Sequence, residues 1–542
     1  MNSSTDTNAS LDIAVRPYRS MDVSSPTPWS RLWESTKAIA TLDKLLLLVA
    51  IGVGGFLRLV NINTLGYNTD EAVYAGQAAG IVGDPTLSQF FPIIRAHPML
   101  FQFVVSLGFL FGVNDLTGRL FSAAVGLATI YLVYRLGSLL YGPAAGAISA
   151  LIIAIMPYHV VVTRQLLLDG PMTFCATLSL YLVARFATEQ KPRWLYAAGV
   201  AMGLTFLTKE TGIIVIGAIY VFLALCPQIR VRLRDLVISI ACMIGIISSY
   251  PLSLIFAGGE GTKKAQSYLI WQLFRRPNHD WTFYGTTAPF AIGLGVILIA
   301  VVGIWLLRGE RTWREQLLVA WVIVPVFFFQ LWPTKGFQYL LPTAPALAIL
   351  AARTLALWSP TLEEGRQRLG QLLLRRWLKP VLVGLLALTL IAPSWSLVQA
   401  SVSDQFLAGS GGVPGGREAG LWIRANVPVG AKLMTIGPSM ANILQFYGHR
   451  KAYGLSVSPN PLHRNPSYEA IRNPDQSIRS SNLQYVVWDS FSASRSPFFS
   501  NSLKRFADQY HGRVVYEQSI TIEGPDGSKV AKPIIIIYEV RP

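Results

Sequence analysis

Cysteine is almost missing from this sequence, and charge is thin. Three cysteines, Cys175, Cys226 and Cys242, occur in 542 residues, each in or beside an apolar run. That excludes a disulfide framework and a thiolate metal site, and the three side chains read as small buried hydrophobes. Charged residues make up 14% of the chain, where soluble domains average about 25%. With 52% hydrophobic residues and a mean hydropathy of +0.42, an ordinary soluble protein is excluded. Negative charge is the scarcer sign, with 29 acidic against 46 basic residues and a net charge of +17. A nucleic-acid binder gathers its basic residues into a patch. Here they are scattered at the ends of apolar runs, where long side chains reach headgroups or water, so no nucleic-acid partner is expected. A signal-peptide core is lacking as well: the first ~40 residues are rich in Ser, Thr and Asp, and the first crossing is expected to serve as the anchor.

What the chain has instead is a series of apolar runs near the length of one bilayer crossing. They lie at about 44–60, 117–140, 144–163, 171–187, 194–208, 211–226, 235–257, 288–307, 317–332, 339–357 and 379–399, which gives roughly eleven crossings. A twelfth stretch, Met99 to Val113, is about fifteen residues long and reads as a re-entrant or juxtamembrane helix. The basic connectors Arg185/Lys191/Arg193, Arg230/Arg232/Arg234, Arg308/Arg311/Arg314 and Arg366/Arg368/Arg375/Arg376 all face the cytoplasm only if the crossing count is odd. The expected architecture is a polytopic α-helical membrane protein: a polar cytoplasmic tail over 1–42, a transmembrane domain over 43–400 with outer loops 61–97 and 258–285, and an extracytoplasmic α/β domain over 401–542. A multi-pass protein of the plasma (inner) membrane follows.

That topology sends most of the unusual polar residues to the outer face. Arg58, Arg95, Arg119, Arg164, Lys209 and Lys335 are cations on the side that normally has few, and Asp70, Glu71, His97, Asp169 and Glu210 join them there. Any one cation can be a headgroup anchor; six of them, together with four acids and a histidine, suggest a site.

Past Ala400 the composition shifts. "LAGSGGVPGGREAG" is a Gly-rich linker, "REAGLWIRANV" and "SLKRFADQY" read as amphipathic helices, and "AKLMTIG", "LQYVVWDS", "GRVVYEQSI" and "KPIIIIYEV" read as strands. A small α/β layer domain is expected. Its "TIGPS" turn lacks the G-x-G-x-x-G fingerprint, so no nucleotide cofactor is assigned; a lid or acceptor-docking module is the preferred reading.

The stretch "GYNTDEAVYAGQAAGI", Gly66 to Ile81, places Asp70 and Glu71 side by side just after the first apolar run. Asn68 and Glu71 have the spacing of a capping box. Adjacent helical residues do not share a face, so one carboxylate faces a cavity and the other caps. Asp70, Tyr74 and Gln77 form a stripe at i, i+4 and i+7, which makes Asp70 the chemical residue.

With T-D-E-A-x-Y-A in hand, the later order of motifs is telling: His97–Pro98, then "TRQLLLDGPMTF", "FLTKETG" and "PTKGFQYLLPTAPALAIL". Together they resemble the GT-C glycosyltransferases, in particular the protein O-mannosyltransferases and the lipid A aminoarabinose transferases, over about residues 44 to 360. The resemblance implies that Asp70 is the acidic residue that acts as base or meets the acceptor, with Glu71 its neighbour. It matches His97–Pro98 to the H-P that ends the loop, Arg164 and Asp169 to the R…LLD-x-P segment, Lys209 to the T-K turn, and Lys335 and Tyr339 to the late K-x-x-x-Y-L-L-P. The family often reads H-P-P where this chain reads "HPML".

The implied reaction moves a sugar from a polyprenyl-phosphate donor to an acceptor hydroxyl on a protein, lipid or glycan at the outer face. Such a transfer needs a base for the acceptor and positive charge for the departing phosphate. The expected catalytic residues are Asp70, Glu71 and Asp169, and the expected substrate-binding residues His97, Arg58, Arg119, Arg164, Lys209, Lys335 and Tyr339. A lipid-linked polysaccharide ligase or polymerase and a secondary transporter are the alternatives. His97 and Glu71 alone are too few ligands to argue for a metal, so a divalent cation stays open and no cofactor is assigned.

Overall fold

The computed structural model describes residues 29–542 apart from 93–96, 257–262, 264–265, 269, 273, 276, 311, 358–368, 400–412, 461–463, 466–467 and 524–527. Arg95, Arg311, Arg366, Arg368 and the first part of the Gly-rich linker therefore lie outside the described residues. The compact unit Asp43–Pro542 carries every feature that follows. The tail expected over 1–42 lies outside the described residues as far as position 28, and the first helix, Trp29–Leu59, begins earlier than the apolar run does.

Every one of the eleven apolar runs is helical. The run at 144–163 is broken into Pro143–Ile155 and Pro157–Thr163, bent by 61°. Pro157 has no N–H to continue the ladder and Met156 is extended at ψ 123°. The run at 288–307 lies in Phe283–Leu306, which contains a π-helical turn at Pro289–Gly293. By length and composition, six helices among the described residues are long and apolar enough to cross a bilayer, or seven if the bent pair is one span. This is a multi-pass membrane protein, but that test does not reach eleven. Gly212–Leu225 has fourteen residues. Asp169–Glu189 carries Thr173, Thr177 and Ser179, whose hydroxyls bond back to the carbonyls four residues earlier, satisfying polar groups inside a buried helix at the expense of apolarity. Leu100–Phe109 has ten residues and rises only about 15 Å, about half of a crossing, as its short run suggested.

The C-terminal region holds a five-stranded mixed sheet. Its strands are β1 Lys432–Thr435, β2 Lys451–Gly454, β3 Tyr485–Asp489, β4 Arg513–Glu523 and β5 Lys529–Glu539, in the order β2-β1-β3-β5-β4. β1 runs parallel to β2 and β3, and β5 is antiparallel to β3 and β4. The alternation in "IIIIY" sorts its side chains by face: Ile535 and Ile537 enter one core, Tyr538 packs on another. The first of these cores is shared. It joins Tyr67, Phe91 and Phe101, which follow the first helix, to Ile423, Leu433, Leu444 and Ile535. Tyr447 fastens the contact: its hydroxyl donates to Asp115 Oδ2 at 2.6 Å and accepts from Tyr67 N at 2.7 Å. The region is thereby held over the helix Thr69–Ile81.

Candidate active site

Asn68 starts that helix. Its Oδ1 accepts from the backbone N–H of Asp70 and Glu71 at 2.9 and 3.0 Å, and Glu71 Oε2 accepts from Asn68 N at 3.0 Å, completing the capping box. The cap fixes the helical phase. Asp70, Tyr74 and Gln77 then line one cavity of about 830 Å³. Glu71, roughly 100° further round, points away from it. It is fully buried and accepts Arg119 Nε at 2.8 Å, Arg119 Nη2 at 2.7 Å and Leu166 N at 2.9 Å. Arg119 also donates to the carbonyls of Ile62, Leu65 and Gly66. The pair therefore shapes the loop that presents Asp70.

Across the cavity, the turn after the helix Pro192–Thr208 supplies two neighbours with separate partners. Lys209 Nζ lies 2.7 Å from Asp169 Oδ1 and 5.1 Å from the centre of the Tyr339 ring. Glu210 Oε2 lies 2.8 Å from His97 Nδ1, whose Nε2 is 3.3 Å from the Tyr268 hydroxyl. Lys335 is held from the other side: its backbone N–H and carbonyl both pair with the Asn278 amide at 2.8 Å, and its ammonium lies 3.3 Å from Trp332 O. Arg275 stacks 4.6 Å over Trp271. Ile213, Phe328, Phe329 and Trp332 make an apolar wall, and Pro438, Ser456 and Arg464 close the cavity from the C-terminal region.

Asp70 is accessible and lines this cavity, and among the described residues no group hydrogen-bonds its carboxylate. The loss of bulk water raises its pKa from the ordinary range; Lys209 opposes the rise, Asp169 adds to it and His97 opposes it. For Glu210 burial also pushes upward, but His97 and Lys209 outweigh it and the carboxyl is held below its usual range.

Of the residues expected to be catalytic or substrate-binding, Asp70, His97, Lys209, Lys335 and Tyr339 meet at this cavity. The others do not line it. Glu71 and Arg119 satisfy each other. Arg58 is fully buried and bonds Thr163 Oγ1, the carbonyls of Gly54 and Ala154, and His159 Nδ1. Arg164 donates to Leu57 O at 2.6 Å. Asp169 sits behind Lys209, buried. Arg58, Arg119 and Arg164, expected as substrate contacts, thus have their guanidinium groups engaged by the protein itself. His97 and Glu71 are not brought together, and no group of three His, Cys, Asp or Glu that could hold a metal occurs among the described residues.

Comparison with known proteins adds to this. The family described as dolichyl-phosphate-mannose-protein mannosyltransferase matches residues 96–255. An uncharacterized protein of Aquifex aeolicus is 28% identical over 53% of this chain and 60% of its own. The undecaprenyl phosphate-alpha-4-amino-4-deoxy-L-arabinose arabinosyl transferase of Yersinia pestis is 28% identical over 43% of this chain and 44% of its own. The chain thus spans about half the length of the curated relatives it matches. Among solved structures, ArnT from Cupriavidus metallidurans superposes with a TM-score of 0.67 at 16% identity, over 92% of this chain and 98% of that one; the same protein bound to undecaprenyl phosphate gives 0.62. The Archaeoglobus fulgidus oligosaccharyltransferase gives 0.55 at 15% identity, over 90% of this chain and 74% of that one. The fold is that of the GT-C glycosyltransferases.

Within this GT-C fold the sequence reading missed one wall of the cavity. Tyr268, Trp271, Gln272 and Arg275 all line it, and their spacing of i, i+3, i+4 and i+7 is a legible helical stripe. Glu210 is, from the sequence, only one more outer acid. Arg464 carries no local signal, because its place depends on how the C-terminal region docks.

Proposed function

We propose that the protein transfers a glycosyl group from a polyprenyl-phosphate donor to an acceptor hydroxyl. The observation that carries this is Asp70: a carboxylate without a hydrogen-bond partner among the described residues, in a cavity that also holds Lys209, Lys335 and Arg275 and has an apolar wall. In the reaction the acceptor oxygen bonds to the anomeric carbon, the bond from that carbon to the phosphate oxygen breaks with its electron pair going to phosphate, and Asp70 takes the acceptor proton. Charge grows on the phosphate as it leaves, so cations aimed at it stabilise the transition state more than the ground state. Lys335 is the best placed of these, since Lys209 is already paired with Asp169. Glu71 and Asp169 act as positioning residues for Asp70 and Lys209.

The apolar wall suits a lipid tail. Ile213 lines the cavity and, with Phe327 and Leu331 nearby in the chain to the lining Phe328 and Trp332, is exposed, so a polyprenyl chain can stay in the hydrocarbon while its phosphate reaches the lysines. The basic connectors support an outer-face cavity, and the helix start at Pro438 with the turn bearing Ser456 and Ser458, all lining the cavity, supports a lid or acceptor-docking role for the C-terminal region. The likeness to a structure holding undecaprenyl phosphate agrees with the donor class. The test is a panel of radiolabelled polyprenyl-phosphate sugars given to purified protein. Consumption of at least one donor, lost in Asp70→Asn, supports the reading; no consumption of any, with solute uptake into vesicles instead, overturns it.

A further inference from the structure

Lys335 stands in the turn between the helix Trp313–Leu331 and the 3-10 helix Phe337–Thr343. Backbone groups in such a turn lack the regular partners of a helix and must find others. Two side chains from the segment 278–284 supply them. Asn278 Oδ1 accepts from Lys335 N at 2.8 Å while Asn278 Nδ2 donates to Lys335 O at 2.8 Å. The Tyr284 hydroxyl donates to Gly336 O at 3.2 Å and accepts from Gly336 N at 3.3 Å. Each side chain thus holds both backbone groups of one residue, as a paired strand does. Gln330 Nε2 donates to Trp281 O at 2.7 Å and ties the same segment to the end of the preceding helix.

What this clasp fixes is the root of a long side chain. A lysine is a point charge on a flexible four-carbon stem, so its charge is placed only as well as its backbone and stem are. Lys335 is buried, and its ammonium lies 3.3 Å from Trp332 O and 5.7 Å from the centre of the Trp281 ring. Trp281 belongs to the clasping segment, which therefore bears on both ends of the side chain. Among the described residues Trp332 O is the one hydrogen-bond acceptor of the ammonium, which leaves two of its three donors for a ligand. Gly336 carries the clasp further. A Cβ there would lie 3.0 to 3.1 Å from three atoms of the Tyr339 ring, and that ring faces the Lys209 ammonium at 5.1 Å. Asn278 itself is exposed, so its truncation opens no hole in the core.

We infer, resting on the transferase reading above, that Asn278 and Tyr284 are positioning residues for the departing phosphate: they set the Lys335 ammonium where the charge of the phosphate grows, acting through Lys335 rather than on the lipid. A misplacement of about 1 Å at such a contact can cost about 10²-fold.

The test compares two lipids that differ in the phosphate and needs no acceptor. Full-length protein in nanodiscs is titrated with undecaprenyl phosphate and with undecaprenol. The unmodified protein should prefer the phosphate lipid, and Lys335→Ala should weaken that lipid ~10- to 100-fold, the loss of hydrogen bonds to a charged group. Asn278→Ala should weaken it about threefold or more and leave undecaprenol unchanged. In a Lys335→Ala background the same substitution should change phosphate-lipid binding by less than about twofold, because the group it acts through is gone. Tyr284→Phe, which keeps the ring in the core, should follow the same pattern and replaces Asn278→Ala if that variant does not fold. A merely structural role weakens both lipids, or weakens the phosphate lipid equally in both backgrounds. Either result, or no effect of Asn278→Ala or of Lys335→Ala, overturns the inference, while a preference of the unmodified protein for the phosphate lipid leaves the transferase reading standing. No such preference overturns the transferase reading and the inference with it.

Discussion

Glu71 and Arg119 form a two-point ion pair, at 2.8 and 2.7 Å, in which both side chains are buried; their remaining hydrogen bonds are all to backbone, and the guanidinium also lies 5.2 Å from the centre of the Tyr67 ring. The neighbouring Asp70 has no such partner. Two consecutive acids therefore have different fates, and substitutions separate them.

Breaking the buried pair leaves an uncompensated charge, which typically costs about 3–5 kcal/mol. Glu71→Gln keeps the cap but strands Arg119, so its thermal unfolding temperature should drop clearly, and Arg119→Ala should behave alike. The sequence alone suggests a mild effect for Glu71→Gln, through capping only. An unchanged melting curve for both variants would show that the pair contributes nothing.

Asp70→Asn should do the reverse. Folding is expected to be normal, donor binding nearly unchanged, and kcat lower by the roughly 10²- to 10⁴-fold of a lost general base. Near-normal turnover in a folded variant removes Asp70 from the chemistry.

The pH dependence follows from the same carboxylate. Its folded pKa is raised by its protein surroundings, with Lys209 opposing, so the acid limb of kcat/KM should lie above the ordinary carboxylate range and vanish with Asp70→Asn. For stability the sign is opposite: the unfolded carboxyl loses its proton first, so stability falls as pH rises from the ordinary range through the folded pKa. Asp70→Asn should thus be neutral or slightly stabilising at pH 7 and indistinguishable from the parent below that range. Melting curves at the two pH values decide it.

Lys335 and Arg164 should part company. Lys335→Ala is expected to raise the donor KM, and to lower kcat if the contact tightens as the phosphate leaves. Arg164 does not line the cavity and donates to Leu57 O, so Arg164→Ala should leave donor KM alone. Equal effects on KM would contradict this division.

Orientation is tested by tags. One after Ser410 should be labelled from outside the cell and one between Arg308 and Arg314 should not, as the basic connectors require; labelling of both from one side refutes the topology.

Much of this was local and so legible in the chain. The eleven apolar runs became helices and the four alternating segments after residue 430 became strands, because side-chain period and burial act over a few residues. The Asn68–Glu71 cap and the Asp70–Tyr74–Gln77 stripe were equally local. The strand Lys451–Gly454 was missed because its Lys, Ala, Tyr and Gly include only one strand-favouring side chain. What each charge does was a different matter. Arg58, Arg119 and Arg164 looked as available to a phosphate as Lys209 and Lys335, yet the first three are engaged by carbonyls and side chains brought from as far as 107 positions away. A guanidinium has no fixed role in a sequence. Its role is set by which acceptors lie within about 3 Å, and long-range packing alone decides that.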